Sequence, residues 1–260
     1  MDEDLKEQIK KALSEEVRLD GRKPMEYRSI EVETGIIETA EGSAKVKIGE
    51  TEVLCGVKME IGTPYPDTPA EGTIAVNVEL LPLSNPDFES GPPGEQAVEV
   101  ARVVDRGIRE AKAVDLKKLC IKENEKVWMV NIDLCTINDS GNLIDASGIA
   151  ALAALMNARF PKYDGEKIDY HKKTDERLPM ARLPLPCTVL KLGNKFFVDP
   201  SSEEEKVSEV RLTASITEKG TICALQKGGE HPLTMEDISS MLDIAISKAD
   251  EIRKAIKGKI

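Results

Sequence analysis

Residues 147–160 read SGIAALAALMNARF, a helical stretch that is apolar on almost every side. A helix of that kind must be buried on most of its surface. Its longest apolar run, Gly148 to Met156, is too short to cross a bilayer, which takes ~20 residues. The cover must therefore come from the rest of the chain. With 260 residues, 40% hydrophobic and 32% charged, the sequence can enclose a large core in one compact α/β unit and does not read as disordered. Aromatic residues make up only 3%, so Val, Ile, Leu and Ala have to build that core.

The flanking patterns supply candidate layers. Residues 2–16 read as a polar helix with Leu5, Ile9, Ala12 and Leu13 on one side. Residues 43–48 and 51–59 alternate apolar and polar around Gly49-Glu50, a hairpin pattern. Residues 73–81 form a third strand, with Ile74, Val76, Val78 and Leu80 on one face. A loop rich in Pro, Ser and Gly over 81–94 precedes a helix predicted over 95–113. A strand follows at 126–137 and then the turn Asn138-Asp139-Ser140-Gly141. In the second half, 187–192 and 195–198 pair across Gly193-Asn194, and 211–217 and 221–226 pair across Glu218-Lys219-Gly220. A final helix spans 233–257, with Thr234 as N-cap and Asp237 three residues on. Both halves run strands then helix, which suggests an internal duplication.

Several chemistries are disfavoured. Cys55, Cys120, Cys135, Cys187 and Cys223 are odd in number, widely spaced and without C-x-x-C pairing, so buried reduced thiols are expected. His171 and His231 lie in polar loops with no partner at ligand spacing. The charged stretch from Met1 to Lys11 is unlike a signal peptide, and a cytoplasmic location with no membrane contact is expected. The net charge of -11 is unusual for a nucleic-acid binder; RNA contact would need a local basic stripe or charge supplied by a partner.

Four segments together carry a family resemblance. RLDGR at 18–22, EGSAKV at 41–46 with Gly49 and Thr51, RVVDRGIR at 102–109, and DSGN at 139–142 leading to Asp145-Ala146 are similar, in order and spacing, to motifs of the ribonuclease PH superfamily. The likeness runs from Arg18 to the last helix. The segments GTPYPDTP at 62–69, residues 95–110 and FVDPS at 197–201 most resemble the non-catalytic ribonuclease-PH-like subunit of the archaeal exosome. The resemblance implies an α/β fold of two pseudo-symmetric β-α units with mixed sheets on helices. Residues 1–260 would be a single domain: an N-terminal helix (1–17), a first half (about 18–160) and a second (about 180–260). It also implies a hexameric ring of three dimers, each of an active and an inactive chain, that trims single-stranded RNA 3′ to 5′ by phosphorolysis. The partners implied are the active sister subunit, RNA-binding cap proteins and RNA. No cofactor belongs to this chain; inorganic phosphate, with magnesium as an option, serves the sister.

Phosphorolysis needs cations to hold phosphate and a carboxylate near the leaving oxygen. Glu95 and Gln96 stand where active members of the family carry an arginine pair, which reverses the local field. Asp199 matches the first acidic position of the family and Glu205 roughly the second. The run Glu203-Glu204-Glu205 reads as a solvated charge run at a strand end, with a metal site as the alternative. Gly228 and Gly229 keep the glycines of a phosphate loop, but Glu230 replaces a hydroxyl residue. These positions are a degenerate former site, with no catalytic and no metal-binding residue expected. Arg102, Arg106 and Arg109 lie on one side of their helix and read either as an RNA-binding stripe or as intrahelical pairs of Glu99 with Arg102, Arg106 with Glu110 and Asp105 with Arg109. Arg18, Asp20 and Arg22 read as a structural clasp. The competing functions are a self-sufficient phosphorolytic 3′–5′ exoribonuclease, which should show arginines at 95 and 96, and an unrelated metal-dependent phosphohydrolase.

Overall fold

The computed structural model describes residues 2–258. In chain order the elements are α1 (Asp2–Ser14), β1 (Ile30–Thr34), β2 (Gly42–Ile48), β3 (Thr51–Gly62), β4 (Thr73–Glu79), α2 (Glu95–Glu110), a 3-10 turn (Leu116–Leu119), β5 (Cys120–Lys122), β6 (Lys126–Asn138), α3 (Leu143–Asn157), β7 (Arg159–Tyr163), β8 (Ile168–Arg177), β9 (Leu185–Leu192), β10 (Lys195–Val198), α4 (Ser202–Val207), β11 (Val210–Ile216), β12 (Ile222–Gly228) and α5 (Met235–Ile256). One mixed sheet has the order β1-β2-β3-β6-β4, with β5 on the end of β6; β4 runs parallel to β6 and the other pairs are antiparallel. A second, antiparallel sheet has the order β10-β9-β11-β12, and β7 and β8 form a separate ribbon.

The apolar helix finds its cover between the two large sheets. α3 packs on β2 and β3 of the first and on β9 of the second. Every residue from Leu143 to Leu155 is buried. Small residues set the approach: a Cβ on Gly42 would lie 2.3 Å from the Ala154 carbonyl oxygen, and one on Gly148 would lie 2.4 Å from Pro186 Cγ. α2 lies on β4, α3 and β12, while α5 covers β9 and β11 and touches β1.

The halves are also tied by a buried polar network. Asp145, in the first turn of α3, accepts hydrogen bonds from Tyr27 Oη at 2.8 Å, Thr188 Oγ1 at 2.7 Å and the Thr188 amide at 3.1 Å. Burial pushes its carboxyl above the usual range, and the donors from Thr188 and Tyr27 oppose that rise. Unpaired, such a group would be costly to enclose, so the network fixes one packing of α3 on β9.

Several boundaries differ from the sequence expectations. α3 begins at Leu143 and ends at Asn157, where 147–160 was expected. Pro161 cannot extend a helix, and the Arg159 amide donates to Glu41 O at 3.1 Å, which starts β7 instead. α2 stops at Glu110 because Lys112 turns left-handed, at φ 52°. β1, β5, β7 and β8 are additional strands. Thr234 and Asp237 form the expected capping box of α5. Of the cysteines, all free, Cys55 and Cys187 are buried, and Cys120, Cys135 and Cys223 are half-buried. No described helix is long and apolar enough to cross a membrane.

Candidate functional site

β10 ends in a left-handed residue, Asp199, at φ 47°. The turn aims its carboxylate inward, where it is fully buried. Oδ2 accepts from the Arg28 amide at 2.8 Å, Arg28 Nε at 2.9 Å and Arg22 Nη1 at 2.8 Å. Oδ1 accepts from Arg28 Nη2 at 2.7 Å and Asn142 Nδ2 at 2.8 Å. Burial by itself would raise this acid, but the hydrogen bonds and charge of Arg28 outweigh it and hold the carboxyl below its ordinary value. With its lone pairs engaged by five donors, Asp199 has none left for a metal or a leaving group. Arg18 completes the clasp. It donates to the Val198 carbonyl at 2.9 Å, the Asp199 carbonyl at 2.8 Å and, through Nε, Glu204 Oε1 at 2.8 Å.

The three glutamates after it are not a solvated run at a strand end, which corrects the expectation. They form α4, capped by Ser201 and Glu204 in a reciprocal pair. Glu203 is exposed, but Glu204 is buried against Arg18. Glu205 Oε1 accepts from the Asn142 amide at 2.9 Å, at the start of α3. Burial pushes the Glu205 carboxyl up to about 7, the Asp139 charge adds to the rise, and the Asn142 amide, Arg211 and Arg28 oppose it. Asp199 and Glu205 are thus brought together, on the side chain and backbone of one residue, Asn142. Among the described residues, no group of three or more His, Cys, Asp or Glu side chains is placed to hold a metal ion.

The start of α2 is acidic and open. Glu95 and Gln96 are exposed, Gly94 provides no side-chain cap, and both residues line a groove of about 590 Å³ with Glu79, Asp87 and Glu89. No Lys or Arg lines that groove; Lys206 lies outside the lining, 3.7 Å from Asp87. One turn into α2, Glu99 is ion-paired to Arg211 of β11 and approached by Gln226 Nε2 at 3.4 Å. The glycines meet this pair. Gly228 lies opposite Arg211 in the sheet, and a Cβ there would be 2.7 Å from Arg211 Nη2. Gly229 turns at φ 83°, and its carbonyl accepts from Lys227 Nζ at 2.5 Å. Glu230 is exposed and, among the described residues, joins no hydrogen bond or ion pair.

The arginines of α2 divide. Arg109 pairs with Asp105 at 2.6 Å and donates to the Ile74 carbonyl at 2.8 Å, so the intrahelical reading holds for it. The Asp105 hydrogen bond raises its guanidinium above the ordinary value. The expected pair of Glu99 with Arg102 does not form, because Glu99 is drawn across to Arg211, and the pair of Arg106 with Glu110 does not form either. Arg102 and Arg106 are exposed and free of ion pairs among the described residues. Sequence reasoning did not single out Arg28 or Arg211, and it named Glu99 only as a partner for Arg102. The DSGN motif at 139–142 gave a signal for Asn142.

The description "3′ exoribonuclease family, domain 1" matches residues 26–161, and "domain 2" of the same family matches residues 182–248. The chain belongs to the 3′ exoribonuclease family. Within it, the chain is 49% identical over 238 residues to the exosome complex component Rrp42 of Methanothermobacter thermautotrophicus, covering 90% of this chain and 88% of that one. A solved chain described as the Archaeoglobus fulgidus exosome with RNA bound to the active site is 45% identical, with a TM-score of 0.91 over 98% of this chain and 99% of the other. Rice Rrp46, at 18% identity and a TM-score of 0.71, shares the fold. The family match spans Arg28, Asp199, Glu205, Arg211 and Gly228, so the Asp199–Arg28 pair and the Glu99–Arg211 cluster lie inside it, while Arg18 and Arg22 precede it.

Proposed function

We propose that this chain is a non-catalytic ring subunit of an exosome that degrades RNA 3′ to 5′ by phosphorolysis. The observation that carries the reading is the lining of the groove at the start of α2, which holds Glu79, Asp87, Glu89 and Glu95 and no Lys or Arg. The start of α2 presents Glu95 and Gln96 over an acid-lined groove, and the nearby Arg211 is already paired with Glu99. A phosphate dianion placed there is repelled. The acid that would serve a leaving group, Asp199, is locked between Arg22 and Arg28. The likeness to Rrp42 chains and to an archaeal exosome structure supports the assembly.

In this reading the chemistry belongs to an active ribonuclease-PH-like sister subunit, together with inorganic phosphate and any magnesium ion that it uses. This chain completes the ring, shapes the sister's site and offers Arg102 and Arg106 to the phosphates of single-stranded RNA, while cap proteins feed the strand. Arg109 holds α2 to β4 through Asp105 and the Ile74 carbonyl and so orients the stripe. A cytoplasmic location goes with this role.

The test is to incubate the purified chain, its sister and the mixture with single-stranded RNA and inorganic phosphate, and to measure nucleoside diphosphates. The mixture should elute at ring size and release them; this chain alone should release none. Release that copurifies with this chain through successive columns would replace the proposal with a self-sufficient exoribonuclease.

A further inference from the structure

Arg211 is answered from inside the molecule. Its Nη2 is paired with Glu99 Oε1, and the Gln226 amide reaches toward the same oxygen at 3.4 Å. Its Nε is buried with no hydrogen-bond partner. The guanidinium lies over Gly228, where a Cβ would come within 3.1 Å of Cζ, so a side chain there would displace it. Two donor groups, from neighbouring strands β11 and β12, thus meet at one carboxylate oxygen above a floor without side chains. A planar fork of donors and an amide that converge on one carboxylate oxygen suit a compact oxyanion.

We propose that the Glu99 carboxylate is the resident occupant of an oxyanion site built by Arg211 and Gln226, and that it closes to inorganic phosphate a site that would otherwise bind it. The proposal rests on the reading of the chain as a non-catalytic subunit and gives one physical cause for its silence. A tethered carboxylate acts at an effective concentration of millimolar or above, so free phosphate at comparable levels does not displace it. The closed site also leaves the phosphate supply to the sister.

The experiment uses the full chain and reads thermal unfolding against inorganic phosphate, with sodium chloride at matched ionic strength as the reference. Wild type should show no saturable phosphate-specific rise in Tm. Glu99→Ala should gain one, about 3–6 °C at tenfold excess over Kd. The gain should disappear in the double variant Glu99→Ala with Arg211→Gln. Glu99→Gln keeps the shape and one acceptor while removing the charge, and carries the same test if the alanine variant does not fold. A folded Glu99 variant with no saturable rise overturns the proposal. So does a rise that survives Arg211→Gln, or wild type binding phosphate as tightly as the variants. The two readings fail separately: nucleotide release by the isolated wild-type chain sinks the subunit reading, and a missing phosphate response in the Glu99 variants sinks this one.

Discussion

Asp199→Ala separates a structural carboxylate from a chemical one. The substitution deletes the acceptor of five hydrogen bonds and leaves Arg28 and Arg22 facing an apolar methyl. Breaking a buried ion pair from one side costs ~3–5 kcal/mol. The left-handed backbone at φ 47° adds about 1 kcal/mol, since Asp tolerates that region better than Ala. Part is recovered, because Arg22 keeps Asp20 at 2.7 Å and Arg28 keeps the Ser140 carbonyl at 2.8 Å. A net loss of about 4 kcal/mol is expected, or roughly 8–16 °C in Tm for a chain of this size. Asp199→Asn keeps the turn and one acceptor, and should lose about half as much. Urea unfolding of the full chain measures both. Turnover of the assembled ring, at a temperature where the variants remain folded, should stay near wild type. Retained stability together with lost turnover would refute the argument and return Asp199 to the chemistry. A pH series adds a check. The folded-state carboxyl is depressed, so its contribution is present above the unfolded value near 3.8 and lost as pH falls through the folded one. The stability gap between wild type and Asp199→Asn should therefore close in acid.

Glu205 works in the opposite sense. Its carboxyl is raised from 4.5 to about 7, so its contribution is full below pH 4.5 and lost as pH rises through 7. The ceiling is ~3 kcal/mol, and partial exposure of the residue brings the expected value to about 1–2 kcal/mol. Glu205→Gln should be more stable than wild type by that amount at pH 8 and equal to it at pH 4 in denaturant titrations; no gain at pH 8 would contradict the burial argument. Arg102→Ala and Arg106→Ala in the reconstituted ring should each weaken RNA binding for all sequences and lower the slope of log affinity against log salt by ~0.7, whereas Arg109→Ala should mainly lower stability. Unchanged slopes for Arg102 and Arg106 would leave the subunit a purely architectural role. Gly42→Ala should cost about 3 kcal/mol by chemical unfolding, because the added methyl meets the backbone of α3 at Ala154 and Ala158; a neutral result would mean that the helix can back away from the sheet.

Much of this molecule is local and therefore legible in one dimension. The apolar surface of α3, the alternation in β2, β3 and β6, the hairpin at Gly193-Asn194 and the Thr234–Asp237 box follow from periodicity and capping, which act over a few residues. So do the acidic start of α2 and the run of arginines at 102, 106 and 109. β8 escaped because its sequence, IDYHKKTDER, lies mostly exposed on a two-stranded ribbon and carries no alternation to read. Short-range pairs such as Asp105 with Arg109 were legible, but the long-range assignment of charges was not. Glu99 has Arg102 within its own helix, yet it pairs with Arg211, 112 residues away. Asp199 meets Arg28 across 171 residues, and Glu204 meets Arg18 across 186. Which cation answers which acid depends on how the two sheets close on α3, because burial makes a carboxylate take whatever donors the closed fold brings within reach. Residue order alone puts Glu95 and Gln96 at the start of α2, whereas closure of the sheets on α3 pairs Arg211 with Glu99 and leaves Arg102 and Arg106 exposed.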